Sequence, residues 1–253
     1  MTPADDPGRL LDVLHEAATA VRTALDGLAD WGPAGTKPGQ YRSDLAADEA
    51  ALAVLHAGGL GTMSEESGAA HADRALVAVL DPVDGSTNAS RGIPWFATSI
   101  CVLDGDGPLV SLVVNQALGV RHWAVRGGGA FVDGRPLRPA ATQRLGDAIV
   151  LLSGIPAQGP LPWRQYRALG ACALDLCAVA GGTADAFLDT TSPAAHGSWD
   201  YLGGMHIARE AGAVVVDALG ADLVTRAHAD RRTPVAACSQ ALLDELLDAS
   251  RVD

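Results

Sequence analysis

Apolar residues recur at three- and four-residue steps through the first thirty positions: Leu10, Leu11, Val13, Leu14, Ala17, Ala18, Val21, Ala24, Leu25 and Leu28. That period predicts a helix with one buried face, which Trp31-Gly32-Pro33-Ala34-Gly35 ends. Residues 35–40 read as a loop. A second helix is predicted from Asp44 to about His56, carried by Leu45, Leu52, Val54 and Leu55 and closed by Gly58-Gly59-Leu60-Gly61. The apolar run Leu76–Leu80 feeds directly into Asp81-Pro82, which predicts a buried strand halted by proline.

Between residues 97 and 140 the pattern becomes a strand meander. Ala97–Leu103, Pro108–Asn115, Arg121–Val125 and Gly129–Val132 are strand-like, broken by Asp104-Gly105-Asp106-Gly107 and by glycines. No helix follows Gly127-Gly128-Gly129, so that run is a turn and not a dinucleotide-binding loop. The second half predicts a strand over Ala148–Ser153, a helix over Tyr166–Ala180 and a strand over Ala184–Leu188. A helix over Trp199–Glu210, a strand over Ala213–Asp217 and a closing helix over Ser239–Ser250 follow. A meander followed by alternating strands and helices predicts a layered α/β (α+β) architecture. Residues 1–253 are expected to form one domain, with an N-terminal α+β half (1–140) and a C-terminal α/β half (141–253).

Composition changes this picture little. Of 253 residues, 48% are hydrophobic and 19% charged, as in ordinary globular proteins, and no apolar run is long enough to span a bilayer. The start, Met1-Thr2-Pro3-Ala4-Asp5-Asp6, has neither a basic nor an apolar stretch, so the cytoplasm is the expected location. The net charge of -12 disfavours nucleic-acid binding. It would also repel an anionic substrate, unless divalent cations reverse its sign locally. The cysteines at 101, 172, 177 and 238 form no Cys-x-x-Cys pair and read as reduced, buried thiols.

The chemistry gathers in three acidic groupings: Glu65-Glu66, Asp81 with Asp84, and Asp200 after Trp199. Pro82-Val83 keeps the backbone between Asp81 and Asp84 out of regular helix, so two carboxylates and the Val83 carbonyl can converge. Hard cations such as Mg²⁺ prefer such oxygen ligands, and a pair of them forms a clamp for in-line phosphoryl transfer. Gly85-Ser86-Thr87-Asn88 then offers successive amides at a helix start, a natural phosphate cradle.

Asp81-Pro82-Val83-Asp84-Gly85-Ser86-Thr87-Asn88 resembles the first signature of the inositol monophosphatase family. Trp199-Asp200-Tyr201-Leu202-Gly203-Gly204-Met205-His206-Ile207-Ala208-Arg209-Glu210-Ala211-Gly212 resembles its second. Ser64-Glu65-Glu66-Ser67 is similar to the family's Gly-Glu-Glu-Ser element, with serine for glycine. Gly128–Leu137 and Gly181-Gly182-Thr183-Ala184-Asp185-Ala186 also fit, so the resemblance runs over nearly the whole chain in order. It implies the alternating αβαβα sandwich of the inositol monophosphatase and fructose-1,6-bisphosphatase type.

The resemblance further implies two or three Mg²⁺ ions. Glu66, Asp81 and the Val83 carbonyl would hold the first, and Asp81, Asp84 and Asp200 the second; a third would sit near Glu66 through waters. Gly85, Ser86 and Thr87 would hold the phosphate. The nucleophile would be a water acidified by the ions, polarised by Ser86 with Asp44, for which Asp48 is the alternative. Lys37 stands in the loop where the family often has a lysine near the third ion. Around the leaving alcohol the resemblance implies Asp84, Gly170, Ala171 and Asp200, and His196, in the loop before the helix, is a further candidate whose alternative is a solvated loop histidine. Ala171 lacks the hydroxyl usual at its position. The family's acidic sugar-contacting residue is replaced by the loop Asp189–His196.

The expected activity is Mg²⁺-dependent hydrolysis of a small sugar or cyclitol phosphate, inositol 1-phosphate first. Histidinol phosphate, 3′-phosphoadenosine 5′-phosphate and fructose 1,6-bisphosphate are rivals. A non-catalytic regulatory protein on the same fold is the alternative from another class, and the intact acidic set favours catalysis over it. Inhibition by lithium and a homodimer are further implications of the resemblance.

Overall fold

The structure is a computed structural model that describes residues 6–35, 39–157, 159–191 and 194–250. Lys37, the N-terminal residues 1–5 and two positions of the Asp189–His196 loop, Ser192 and Pro193, lie outside the described residues. The chain opens with α1 (Pro7–Asp26) and α2 (Arg42–Ala57). An N-terminal sheet follows, built from β1 (Gly61–Ser64), β2 (Gly68–Ala70), β3 (Val77–Asp84), β4 (Ala97–Asp104), β5 (Gly107–Asn115), β6 (Arg121–Val125), β7 (Gly129–Val132) and β8 (Arg135–Pro136). The short α3 (Ser86–Arg91) interrupts it between β3 and β4. A second sheet contains β9 (Ile149–Ser153), β10 (Gln165–Arg167), β11 (Ala186–Asp189), β12 (Val214–Asp217) and β13 (Pro234–Ala237). The remaining helices are α4 (Cys172–Ala180), α5 (Ser198–Ala211) and α6 (Gln240–Ser250).

The larger sheet runs β2-β1-β3-β4-β5-β6-β7-β8, with β1 and β3 parallel and every other pair antiparallel. The smaller runs β10-β9-β11-β13-β12. Alternate side chains of the central strands enter different cores, which is why these strands read as unbroken apolar runs. On β3, Ala78 and Leu80 pack with α1 and α2, while Val77 and Val79 pack with α4 and α5. Phe187 and Ala236 of the smaller sheet reach that same middle layer, and α6 covers the far face through Leu242, Leu243 and Leu246. The layers are therefore helix, sheet, helix, sheet, helix, as the resemblance implied.

Two predicted elements differ. The helix expected over Tyr166–Ala180 is an edge strand, β10, then a loop, and only from Cys172 a helix. Gly170 has φ +85°, which no right-handed helix accommodates, so the helix starts beyond it. Nor does proline halt the strand before the signature. β3 continues through Pro82 to Asp84, since a bulge sets the steps from Asp81 to Asp84 against Ser99 to Ala97. The bulge takes Pro82 out of register, where its missing N–H costs the ladder nothing.

Candidate active site

Each acidic residue is placed by its element. The bulge at the end of β3 carries Asp81 and Asp84; Asp81 Oδ1 accepts from Val83 N at 2.9 Å, and Thr98 Oγ1 donates to Pro82 O at 2.9 Å. Asp200 stands in the first turn of α5, where its Oδ2 accepts from Gly197 N at 2.7 Å. That helix lies close to its neighbours because Gly203 and Gly204 have no side chain. A Cβ at Gly203 would meet Ser99 Oγ at 2.5 Å, and one at Gly204 would meet Ala173 O and Leu176 Cβ at 2.7 Å. The glycine pair of the second signature thus seats α5 against β4 and α4, which brings Asp200 up to the end of β3.

Glu65, Asp81 and Asp200 each offer a carboxylate oxygen within 4.8 Å of the others. The sequence reading placed Glu66 in this set, whereas the structure brings in Glu65. Both glutamates lie in the turn that follows β1, and that turn sends their side chains apart. Thr62, Ser64 and Glu66 are bonded respectively to His56, Asp48 and Gln40 on or just before α2. Met63 and Glu65 point the other way, toward the α4–α5 layer and Asp200.

Asp84 has a second contact that the sequence does not announce. Its two carboxylate oxygens accept from Cys172 N at 3.2 Å and Ala173 N at 2.7 Å, capping α4. It stands next to the three-carboxylate group and lines a cavity with Asp200. Between them, Gly85 adopts φ +86°, packed so tightly that a Cβ would lie 3.0 Å from Gly170 O and 3.1 Å from Trp95 O. This left-handed residue turns the chain from β3 into α3, whose first residues are Ser86 and Thr87. Thr87 Oγ1 lies 3.3 Å from Tyr41 OH, tying α3 to the start of α2.

Asp44 caps that start, accepting from Tyr41 N at 2.9 Å. Burial pushes its carboxyl up to about 7, with the charge of Glu66 adding to the rise. Its own charge acts on Glu65 and Asp81. Asp48, the alternative, is buried under Ser64 and accepts its hydroxyl.

Electrostatics tests whether a cation fits. Desolvation, then the charges of Asp200, Glu66, Asp44 and Asp84, push Glu65 up to about 8, although solvent reaches its side chain. Burial raises Asp200 to about 6, and lifts Asp81 and Asp84 well above the usual carboxylate range, with their acidic neighbours adding to both. Such a group of hard oxygen donors resists ionisation alone, and a divalent cation removes that resistance. The residues fit a divalent metal.

All five residues expected around the leaving alcohol, Asp84, Gly170, Ala171, His196 and Asp200, line one cavity of about 300 Å³, together with Ser153, Cys172, Asp175, Thr191 and Ala195. His196 Nδ1 lies 2.8 Å from Asp189 Oδ2. Burial alone would lower the imidazole, but the Asp189 hydrogen bond and the charges of Asp200, Asp189 and Asp84 raise it above its ordinary value. Asp189 therefore serves His196, and Thr191 through its N–H and hydroxyl, from the place where a sugar contact was sought. Trp199 packs under His228 and Arg231, as expected of a buried indole. Asp175 was missed, since an acid in the middle of an apolar helix carries no motif.

Known proteins place this arrangement. The model of the inositol monophosphatase family matches residues 43–252. An inositol-1-monophosphatase of Mesorhizobium japonicum is 35% identical over 200 residues, covering 71% of this chain and 73% of that protein. A fructose-1,6-bisphosphatase of Pyrococcus furiosus is 30% identical over 206 residues, covering 81% and 80%. The crystal structure of the extragenic suppressor protein suhB from Bartonella henselae superposes with a TM-score of 0.81 at 26% identity, covering 96% and 98%. With its fold, its acidic cluster and both signatures in agreement, the chain belongs to the inositol monophosphatase family and is a phosphoric monoester hydrolase.

Proposed function

We propose that the protein hydrolyses a small sugar or cyclitol phosphate with Mg²⁺, inositol 1-phosphate first among the candidates. The observation that carries this reading is the convergence of Glu65, Asp81 and Asp200 within 4.8 Å beside a cavity large enough for such an alcohol. Glu65, Asp81 and the Val83 carbonyl would hold one ion, and Asp81, Asp84 and Asp200 another. Bound there, Mg²⁺ supplies Lewis-acid polarisation of the phosphoryl group and acidifies the attacking water. The backbone at Gly85, Ser86 and Thr87 receives the phosphate at the start of α3. Asp44 with Ser86 orients the water. The leaving alcohol occupies the cavity bounded by Asp84, Gly170, Ala171, His196 and Asp200.

We place the protein in the cytoplasm, a setting supported by four buried cysteines that form no disulfide. No helix among the described residues is long and apolar enough to cross a membrane. A homodimer is part of the reading. A monomeric mass by light scattering would refute it.

Purified protein with Mg²⁺ is to be offered inositol 1-phosphate, histidinol phosphate, 3′-phosphoadenosine 5′-phosphate and fructose 1,6-bisphosphate, beside the Asp81→Asn variant. Release from inositol 1-phosphate should lead, fall by about 100-fold or more in the variant, and be inhibited by Li⁺. Equal release by the two proteins, or none by either, would overturn the reading.

A further inference from the structure

One acidic side chain of the cavity stands outside the metal cluster. Asp175 lies in α4, is 1% exposed, and lines the cavity with Asp84, Ala171, His196 and Asp200. Its Oδ1 accepts from Trp95 Nε1 at 2.9 Å, which fixes the plane of the carboxyl group. Among the described residues nothing is bonded to Oδ2. The residue does not cap its own helix either, because Asp84 already takes the amides of Cys172 and Ala173. Oδ2 is not among the buried polar atoms left without a partner, so solvent of the cavity reaches it and a ligand hydroxyl there would take the place of a water.

The charge balance of the cavity gives that oxygen a consequence. Asp84 and Asp200 belong to the proposed metal set, so bound cations compensate them. His196 is the only lining side chain able to carry positive charge, and Asp189 already pairs with it. Asp175 has only a neutral indole as partner. His196 is the one positive group that acts on it, and no hydrogen bond joins the two, so Asp175 keeps no cationic hydrogen-bond partner among the described residues. Burial pushes its carboxyl up to about 7, with the Trp95 indole and the charge of His196 opposing.

We propose that Asp175 is a specificity-determining residue of this cavity: it accepts a hydrogen bond from a hydroxyl of the departing alcohol and rejects alcohols that carry a second phosphate. The inference rests on the phosphomonoesterase reading above. A hydroxyl donor satisfies Oδ2, whereas a second phosphate brings like charge against a desolvated carboxylate. Substrates that differ at this one point are separated by whether a buried polar group finds its match.

The test uses the Mg²⁺-loaded enzyme at pH 8. Asp175→Asn keeps an oxygen for Trp95 and places an amide donor where the carboxylate stood. The ratio of kcat/KM for inositol 1-phosphate to that for phenyl phosphate, whose leaving group has no other hydroxyl, should fall about 10-fold, chiefly through KM. The ratio for fructose 1,6-bisphosphate over fructose 1-phosphate should rise about 10-fold. Ratios that stay within about twofold of wild type would overturn the proposal, since a merely structural role affects all esters alike. A second measurement needs no variant. The wild-type enzyme should prefer fructose 1-phosphate to the bisphosphate by about 10-fold, and equal or reversed preference would overturn the proposal. Absence of Mg²⁺-dependent release from any ester, phenyl phosphate included, would instead bring down the phosphomonoesterase reading and this inference with it.

Discussion

Glu65 and Glu66 are chemically identical neighbours with opposite surroundings. The turn after β1 sends Glu66 toward Gln40 before α2 and Glu65 toward Asp81 and Asp200. Replacing Glu65 by Gln removes a charged oxygen donor from the cluster and should lower Mg²⁺-dependent kcat by about 100-fold or more. Glu66→Gln keeps a hydrogen-bonding group at the Gln40 contact and should change kcat by no more than about threefold. Initial rates at saturating Mg²⁺ for the two variants decide the matter, and the reverse order would restore Glu66 to the set. The motif Ser64-Glu65-Glu66-Ser67 locates the acidic pair in the sequence but leaves open which member turns inward. That is set by the turn after β1, whose four residues Gly61–Ser64 are themselves too short and too mixed to announce a strand. Asp81, Asp84 and Asp200 were legible because two long signatures place them, whereas Gly170, Ala171 and His196 lie outside both. Asp175 and the Asp189–His196 pair were not, because their roles depend on contacts across 80 and 7 residues that no local pattern encodes.

Among the elements, α5 is the piece that assembles the site, and its position rests on Gly203 and Gly204. A Cβ at Gly204 would lie 2.7 Å from the backbone oxygen of Ala173, in the helix whose first turn Asp84 caps. Two effects of Gly204→Ala oppose one another. Alanine favours a helix interior over glycine by about 1 kcal/mol. Overpacking a tight helix contact costs roughly 1–3 kcal/mol, and here the obstructing atom is backbone that cannot rotate away. The packing cost should win, with a net loss of about 1 kcal/mol in urea unfolding and a lower kcat as Asp200 moves from Asp81. A stabilised variant of full activity would show that α5 has room to spare. The same closeness explains what periodicity reads well and badly. Long helices and the β4–β7 meander were evident from their repeats, and the predicted meander boundaries nearly coincide with the strands. The stretch 165–180 misled because its apolar spacing runs on across Gly170, and only the positive φ of that residue separates β10 from α4.

At the scale of the whole molecule, the clustered carboxylates tie folding to pH and to metal. Asp44 at about 7, Glu65 at about 8 and Asp200 at about 6 all lie above their ordinary values of 3.8, 4.5 and 3.8. The sign follows from proton counting. A carboxyl raised by folding holds its proton longer in the folded chain than in the unfolded one. Its stabilising contribution is complete below pH 4 and is lost as pH rises through the folded value. Metal-free protein should therefore lose stability between pH 5 and pH 8. For a buried group such as Asp44 the slope is about 1.4 kcal/mol per pH unit while the folded state keeps the extra proton. Asp104, held low by its hydrogen bond and ion pair with Arg126, titrates below that window and does not mask the trend. Mg²⁺ should reverse the loss, because it binds the ionised carboxylates and competes with their protons. At a hundred times its Kd the ion contributes about 2.7 kcal/mol, or roughly 5–10 °C in Tm for a chain of this size. Thermal unfolding with chelator and with Mg²⁺, at pH 5 and pH 8, reads both effects. The expected pattern is a Tm that falls with pH in chelator and a Mg²⁺ increment that is large at pH 8 and absent at pH 5. An increment of equal size at both pH values would mean that the ion binds elsewhere than among Glu65, Asp81 and Asp200.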